Sequence, residues 1–357
     1  MLRRARSAVL VPVVLVLVVA SPSAAGTNAY HVTKLVSDQP GEAANTDAHL
    51  VNAWGLVAGP TTPWWVADNE TDVSTLYDGS GNAVPLVVNV AGGPTGLVFN
   101  GGSGFVVSDG TNSGSSRFIF ATEAGTIRGW SPAVPPPPLS TQTEIGVDRS
   151  GAGAIYKGLA IASPAVGDRL YAADFHNGQV DVFNSDFGLV TSPGAFVDSE
   201  LPPRFAPFGI QNIGGAIFVA YAKQDADRED EVAGRGLGFV DMFDTSGALL
   251  GRVATRGLLN APWGLAMAPA TFGRFGGDLL VGNFGDGQIN AYAQRTNGTF
   301  EHDGRLRAPS GEPLAIDGLW ALEFGNNSVA GSADSLFFTA GPDDETHGLF
   351  GKIDPAS

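Results

Sequence analysis

Two acidic runs in the sequence have the composition of a calcium-binding loop. The first holds Asp225, Asp227 and Asp230, and the second holds Asp343 and Asp344. Ca²⁺ takes about 6–8 oxygen ligands, which closely spaced carboxylates can supply. Neither run has the sixth-position glycine or the spacing of an EF-hand loop. A weak extracellular site for Ca²⁺ or another divalent cation and a solvated acidic loop therefore both stay open, and no other cofactor is expected.

A second set of polar residues falls in short segments that recur along the chain. Its amide, carboxylate, imidazole and ammonium groups suit either a divalent cation or a small polar ligand. The candidates are Asn52, Asn69, Lys157, Asp174, His176, Asn283 and Asp317. His49, His176 and His347 would suit Zn²⁺ if they converged, but no HxH or HExxH spacing places any pair together. Pairing with a neighbouring acid such as Asp174 or Asp317 is the favoured interpretation of Lys157.

The elements that position these residues form a unit that repeats six times. Each unit begins with a short strand such as AWGLVAG, continues with a strand ending in a polar loop such as LYAADF, and adds a third strand such as GQVDVF. A period of about 40–55 residues with three or four strands is typical of a β-propeller. A small residue of the first strand recurs, 41 to 62 residues apart, at Gly55, Gly96, Gly158, Gly209, Gly264 and Ala321.

The two ends of the chain predict how the ring closes. The sixth repeat stops at FGKIDPAS after its third strand, whereas YHVTKLVSD, from Tyr30, stands before the first repeat. A ring completed by that N-terminal strand has no exposed sheet edge. We therefore predict an all-β fold, a six-bladed β-propeller of four-stranded antiparallel blades closed by an N-terminal strand, as a single domain over residues 30–355.

The repeat alignment also predicts which loops share a face. Second strands are assigned to WWVADN, FVVSDG, LYAADF, IFVAYA, LLVGNF and LFFTAG. Because the chain reverses at each strand, the loops after them lie with the starts of the inner strands at one mouth of the central channel. Asp68, Asp109, Asp174 and Asn283 end these strands, and such side chains shape turns by accepting backbone hydrogen bonds. The aromatic residues Trp54, Phe208, Trp263 and Trp320 fall on inner strands, where core packing is favoured over stacking against a sugar.

Charge and the N-terminus restrict the partners and the location. Arg3, Arg4 and Arg6 precede the apolar run 8–20, and small residues end at Ala25, so residues 1–25 are interpreted as a secretory signal peptide. An uncleaved membrane anchor is the alternative. The whole chain has a net charge of −16, and loss of those three arginines makes it −19. We expect a secreted monomer that binds a protein or small molecule at the channel face, with no nucleic-acid partner and no membrane contact after cleavage.

The sequence resembles two groups of propellers. LYAADFHNGQVDVFN and the preceding Pro-x-Gly strands resemble NHL repeats, most closely in the first, third and fifth units. From AWGL to GLWALEFG the chain also resembles an uncharacterised family of secreted bacterial propellers, some of which end in a surface-sorting tail. No such tail stands here, so this resemblance implies soluble export. NHL-type rings commonly act as interaction platforms, which implies a non-catalytic binding propeller.

An enzyme is the alternative. Gluconolactonase-like propellers hold a divalent cation in the channel with a Glu, two Asn and an Asp, and they hydrolyse small lactones or esters. By that resemblance Asn69, Asp174, Asn283 and Asp317 would form the set, but the matching Glu near the first inner strand is absent. The chain has no cysteine and no Gly-x-Ser-x-Gly elbow. Convergence of three or more of the seven candidates at one point would favour the hydrolase.

Overall fold

A computed structural model describes residues 26–190 and 192–356 of the chain. The predicted signal peptide, residues 1–25, lies outside the described residues. Six β-sheets follow one another along the chain, and each inner strand contacts the inner strand of the next blade. No helix in the described part of the chain has the length and hydropathy to cross a bilayer.

The strands fall into four layers counted outward from the axis, with blades in chain order. The inner strands are β3 (Ala53–Val57), β7 (Pro94–Phe99), β13 (Tyr156–Ala162), β16 (Phe205–Ile213), β20 (Pro262–Met267) and β24 (Leu319–Phe324). The second strands are β4 (Trp64–Asp68), β10 (Phe118–Thr122), β14 (Arg169–Asp174), β17 (Ala216–Lys223), β21 (Leu279–Asn283) and β25 (Leu336–Ala340). The third strands are β5 (Val73–Tyr77), β11 (Thr126–Trp130), β15 (Gln179–Asn184), β18 (Gly238–Phe243), β22 (Ile289–Gln294) and β26 (Leu349–Pro355).

The outermost layer and the short elements complete the ring. Fourth strands are β6 (Val88–Asn89), β12 (Glu144–Asp148), β19 (Leu249–Thr255), β23 (Phe300–Arg305) and, in blade six, β1 (Tyr30–Ser37). Three further strands and three 3₁₀ helices lie outside these layers: β2 (Asn45–Thr46), β8 (Val106–Ser108), β9 (Ser113–Ser115), Asn69–Thr71, Ser150–Ala152 and Gly273–Phe275.

The N-terminal strand closes the ring as predicted. β1 pairs antiparallel with β26, from Tyr30 opposite Pro355 to Ser37 opposite Leu349. Blade six therefore joins the start of the chain to its end, and the six-bladed all-β propeller of four-stranded antiparallel blades is confirmed. In blade three a short segment takes the fourth place. Leu189 bridges Phe183, and the Val190 N–H donates to the Val182 carbonyl at 2.7 Å.

The second strand of blade two was assigned wrongly from the sequence. FVVSDG belongs to the small β8–β9 hairpin, an insertion between the inner strand and the true second strand, β10. β10 is buried at every position, whereas β8 alternates exposed and buried residues and covers only one side. Asp109 holds the hairpin turn, where its Oδ1 accepts the Thr111 N–H at 2.8 Å. Glu123 is the residue that follows the true second strand.

Close packing of neighbouring inner strands explains the recurring small residue. A Cβ atom built on Gly209 would lie 2.0 Å from the Trp263 carbonyl oxygen, and one on Gly55 would lie 2.3 Å from that of Thr95. Because real Cβ atoms do not approach backbone oxygens this closely, glycine is required at these junctions between blades, although blade six accommodates Ala321 at the same position. The residues that follow these positions line a narrow apolar section of the axis: Leu56, Leu97, Leu159, Ile210, Leu265 and Leu322.

Candidate functional site

An aromatic plug closes the axis above this aliphatic ring. Trp54 and Trp320 stack with ring centroids 3.7 Å apart, and Phe284 stacks on Trp320 at 4.1 Å. Phe208 and Trp263 meet Trp320 edge-on. Trp54, Phe208 and Trp320 are each at most 2% exposed, so no sugar can stack on them. The core-packing interpretation of these residues is therefore confirmed.

Lys157 lies in the inner-strand layer of this plug and is 1% exposed. Its Nζ is 2.5 Å from Glu123 Oε1 and 3.1 Å from Asp230 Oδ1. The same ammonium group lies 5.0 Å from the centre of the Trp54 ring, within cation–π range. The predicted pairing with an acid is confirmed, but the partners come from the loops of blades two and four. The sequence-based partners were wrong because the position of Glu123 depends on the corrected strand of blade two.

Two asparagines connect this ion pair to the plug. Asn69 Nδ2 donates to Glu123 Oε2 at 3.0 Å, and Asn52 Nδ2 donates to Asn69 Oδ1 at 3.2 Å and to Glu345 Oε2 at 2.6 Å. Asn52 Oδ1 accepts the Trp320 indole N–H at 2.9 Å. Both asparagines are buried, so these bonds satisfy amide groups that have little access to water. One continuous polar network therefore rests on the aromatic plug.

Glu345 reaches this network from an unusual backbone turn. Asp343, Asp344 and Glu345 have φ angles of 55°, 52° and 66°, three successive residues in the left-handed region. Residues with a Cβ lose roughly 1–2 kcal/mol each in this conformation. Strain of this kind concentrates at functional sites, where the surrounding structure holds it in place. Here the turn directs Glu345 onto Asn52, across the network from Lys157.

A cavity of about 570 Å³ opens above the network. We call it the acidic mouth. Six of its eight lining residues carry carboxylates and none is basic, as expected for the anionic face predicted from the loops. The lining residues are Asn69, Glu70, Glu123, Ile155, Glu229, Asp230, Asp344 and Glu345.

Burial and charge shift the pKa values of groups at the mouth. Burial raises the pKa of Glu231 to about 8, although the nearby Lys157 ammonium lowers it. Burial likewise raises the pKa of Glu345, against the hydrogen bond from Asn52. Burial alone would lower the pKa of Lys157, but Glu123, Glu231 and Asp230 together raise it above its usual value. One ammonium therefore faces an excess of carboxyl groups, two of which bind protons more tightly than free glutamate.

The remaining channel candidates lie outside this network. Asp174 Oδ1 accepts the Asn177 N–H at 3.2 Å, and Asn283 Oδ1 accepts the Asn260 N–H at 3.1 Å. Asp317 Oδ2 accepts the Asp343 N–H at 3.0 Å and so holds the strained turn from below. The turn-building role of the Asp and Asn that end second strands is confirmed for Asp174, whereas the Asn283 side chain accepts a backbone N–H from a different loop.

His176 also makes no contact with the network. Its Nδ1 is buried, and it meets no hydrogen-bond partner among the described residues. His347 Nδ1 lies 2.7 Å from Asp38 Oδ2, and the three histidines form no metal-ligand group in the described part of the chain. The structure therefore brings Asn52, Asn69 and Lys157 together and leaves Asp174, His176, Asn283 and Asp317 apart.

The calcium candidates divide between the mouth and local turns. Asp225 Oδ1 accepts the Glu229 N–H at 3.0 Å, while Asp230 turns inward to Lys157. Asp343 and Asp344 are exposed on the left-handed turn, and Asp227 is exposed at the tip of its loop. Across residues 26–190 and 192–356, no three His, Asp or Glu side chains are grouped to hold a metal ion. Calcium binding by these loops stays a prediction.

Three glutamates of the site were missing from the sequence-based candidates. Glu123 was missed through the misplaced strand, although FIFATEAGTIRGW has the repeat's pattern of strand, glycine turn and strand. Glu231 and Glu345 lie inside the two acidic runs, but nothing in their spacing distinguishes them from exposed neighbours. Their side chains point inward because of the path of the backbone. In the first acidic run the loop folds back on itself, and Gln224 forms a β-bridge with Glu231.

Comparison with known proteins identifies relatives of this chain. No protein-family model matches it. The uncharacterised protein R648 of Acanthamoeba polyphaga mimivirus is 34% identical over 340 residues, which cover 91% of this chain and 80% of the viral protein. The chain belongs to the family of that viral protein.

Two solved structures support the fold. A protein of unknown function from Bacteroides thetaiotaomicron aligns with a TM-score of 0.57 and 11% identity, over 91% of this chain and 76% of its own. A glucose dehydrogenase aligns with a TM-score of 0.52 and 13% identity, over 92% and 99% of the two chains. At such identities the likeness shows the propeller fold alone.

Proposed function

We propose that this protein is an exported, non-catalytic binding propeller whose acidic mouth receives an organic cation, an ammonium or guanidinium group carried by its ligand. The observation that carries the proposal is the setting of Lys157. Its ammonium is held by two carboxylates above a tryptophan ring, the arrangement that recognises such cations in proteins. The protein thus contains an internal example of the ligand chemistry that its mouth favours.

The balance of charge supports a second cation at this site. Glu123, Asp230, Glu231 and Glu345 all act on the pKa of Lys157 or share its surroundings, so four carboxyl groups face one ammonium. Buried carboxylates without a counter-charge are unfavourable and take up protons instead. A cation entering the mouth would offset this excess, lower the pKa of the buried carboxyl groups and release protons.

A metal-dependent hydrolase is the second candidate, and two observations favour it. A carboxyl group with a pKa of about 8, such as Glu231, can exchange protons near neutral pH. Three of the seven candidates, Asn52, Asn69 and Lys157, also converge. However, both amides are engaged in hydrogen bonds with their neighbours, and the ammonium is fixed by its two acids. Binding therefore accounts for the arrangement with fewer assumptions.

The proposal is tested by calorimetric titration of hexalysine, hexaglutamate and CaCl₂ into the purified protein at pH 8. Hexalysine should bind, and the double substitution Glu123→Gln with Glu345→Gln should weaken it by about tenfold or more, since two charge-assisted contacts are lost. Glu312→Gln, an exposed acid outside the mouth, is the matched control. Equal binding of hexalysine and hexaglutamate, or an unchanged double variant, would refute the proposal.

Two other results would redirect it. Saturable Ca²⁺ binding that competes with hexalysine would favour the cation-loaded form of the propeller. Turnover of lactone or ester substrates that depends on Mn²⁺ or Zn²⁺ and is lost in Glu231→Gln would favour the hydrolase.

A further inference from the structure

Blade three has an open outer edge. In the other five blades the third strand pairs with a fourth strand, but along β15 only Val182 and Asn184 find partners in the residues that follow. In an antiparallel ladder every second residue directs its backbone N–H and C=O groups to the same side of the strand. The backbone groups of Val180 therefore point to the outer side of β15, like those of Val182 and Asn184. Within the described part of the chain, the N–H groups of Val180 and Val182 meet no acceptor on that side. Unpaired edges of this kind bind further strands.

A groove of about 630 Å³ lies along this edge, separate from the acidic mouth. One wall is β15 itself, and the other is formed by residues 192–197 with Thr245 and Ser246 of blade four. The volume falls within the range of about 300–1,000 Å³ that ligand sites occupy. The groove therefore lies along the part of β15 that residues 189–190 leave without a fourth strand.

Apolar side chains concentrate in this groove. Ten large apolar side chains are exposed in the described part of the chain, and three of them, Val166, Leu189 and Val197, line it. Val166 is 73% exposed and Val197 is 58% exposed. Exposed apolar residues collected beside an open strand edge indicate a surface that a partner covers.

The groove also carries positive charge on an otherwise acidic protein. Arg149 lies 3.5 Å from Asp181, measured from Nε to Oδ2, and is balanced by it. Arg169 Nη1 donates only to the Asp168 carbonyl, at 3.1 Å, and no carboxylate of the described residues lies within ion-pair distance. A carboxylate at the end of a bound segment could form an ion pair with Arg169.

From these observations we propose that blade three binds an extended peptide segment of a partner protein, which adds to the uncovered N-terminal part of β15 and continues the short fourth strand of residues 189–190. The segment presents apolar side chains at alternate positions and a carboxylate toward Arg169. Backbone bonds to Val180 provide affinity, and the alternating apolar contacts provide specificity. This second site is independent of the cation proposed for the mouth.

The walls of the groove favour a single strand over a second copy of this chain. Residues 192–197 face β15 across the groove, so an approaching blade of another copy would meet this wall before its own edge reached β15. An isolated extended segment is narrow enough to enter, since strands pair at about 4.8 Å.

Fluorescence anisotropy with a labelled synthetic peptide tests the proposal on the full chain. The peptide has about eight residues, enough to span β15 at about 3.3 Å per residue, alternates valine with threonine and ends in aspartate. Val180→Pro removes an outward N–H and should weaken binding by about tenfold or more, whereas Val180→Thr keeps it and should bind like the wild type. Arg169→Glu should transfer the preference to a matched peptide that ends in lysine, and Arg295→Glu, an exposed arginine on blade five, should not.

Each outcome decides the proposal. Arg169→Glu changes a side chain at the surface and should fold. It therefore tests the proposal even if Val180→Pro does not fold. Absence of saturable binding up to about 1 mM would overturn the proposal, because a strand-addition site should reach at least that affinity. Equal binding by Val180→Pro and Val180→Thr would also overturn it. Concentration-dependent dimerisation that Val180→Pro abolishes would assign the edge to a second copy instead.

Discussion

Replacing Glu231 with glutamine should make the protein more stable at alkaline pH. The native pKa of about 8 lies above the usual value of 4.5, so the folded state binds this proton more tightly than the unfolded state. The stability contributed by this carboxyl group is therefore complete below about pH 4.5 and is lost as pH rises through about 8. Glutamine has nearly the same shape and cannot ionise, so the variant avoids that loss.

The size of the effect follows from the same shift. Each unit of pKa shift corresponds to about 1.4 kcal/mol of stability. For a fully buried carboxyl group, the shift of Glu231 would therefore correspond to several kcal/mol. The Glu231 side chain keeps some contact with solvent, and water screens its charge, so we expect about 2 kcal/mol. At pH 9 the free energy of unfolding of Glu231→Gln should thus be about 2 kcal/mol higher than that of the wild type, while at pH 5 the two values should be nearly equal.

Urea unfolding followed by tryptophan fluorescence at pH 5, 7 and 9 measures this difference. Glu229→Gln, two residues away in the same loop and exposed, removes an equal charge without relieving buried charge, so it should match the wild type at every pH. Other buried acids, such as Glu323, titrate identically in all three proteins and cancel in the comparison. The reasoning fails if Glu231→Gln has the same pH slope as the wild type, or if Glu229→Gln is stabilised equally.

Three further substitutions test the surroundings of the mouth by urea unfolding. Lys157→Met should lower the free energy of unfolding by about 2–4 kcal/mol at pH 8. This is less than for a wholly buried pair, because the two acids keep contact with water, and the loss should be smaller still at pH 5. An unchanged stability would show that the ion pair is unimportant. Gly209→Ala should lower the free energy of unfolding by at least about 2 kcal/mol, since its Cβ would meet the Trp263 carbonyl. Gly251→Ala is the control, because open space surrounds Gly251 and the stability should change little. Equal effects would contradict the close-packing explanation. Trp320→Ala should cost about 3–5 kcal/mol, and a loss below about 1 kcal/mol would indicate that the plug is not a packed core.

Much of the fold could be predicted because it depends on local patterns that repeat. Glycine stands at five of the six points where neighbouring inner strands meet, and Ala321 takes the sixth, so Gly55 and Gly209 mark the same point of different blades. The closing strand could be recognised because the sixth repeat lacks a partner that Tyr30–Ser37 supplies. The inserted hairpin of blade two misled the alignment, because its sequence resembles a second strand although its burial does not.

The site could be predicted only in part. Asn52, Asn69 and Lys157 were among the candidates because the shared face of the blades follows from chain reversal. Glu345 depends on three successive left-handed residues, and the enrichment of aspartate in that conformation is too weak for Asp343 and Asp344 to mark the turn in the sequence. Its role therefore appears only in the folded chain.

Entry of an organic cation into the acidic mouth should ionise the buried carboxyl groups around Lys157, including Glu231. The most direct test is the heat of hexalysine binding at pH 7, measured in two buffers with different enthalpies of ionisation. Proton release on binding is expected, shown by a buffer-dependent heat, with a smaller release in Glu231→Gln. Binding with the same heat in both buffers, or no binding at all, would contradict it.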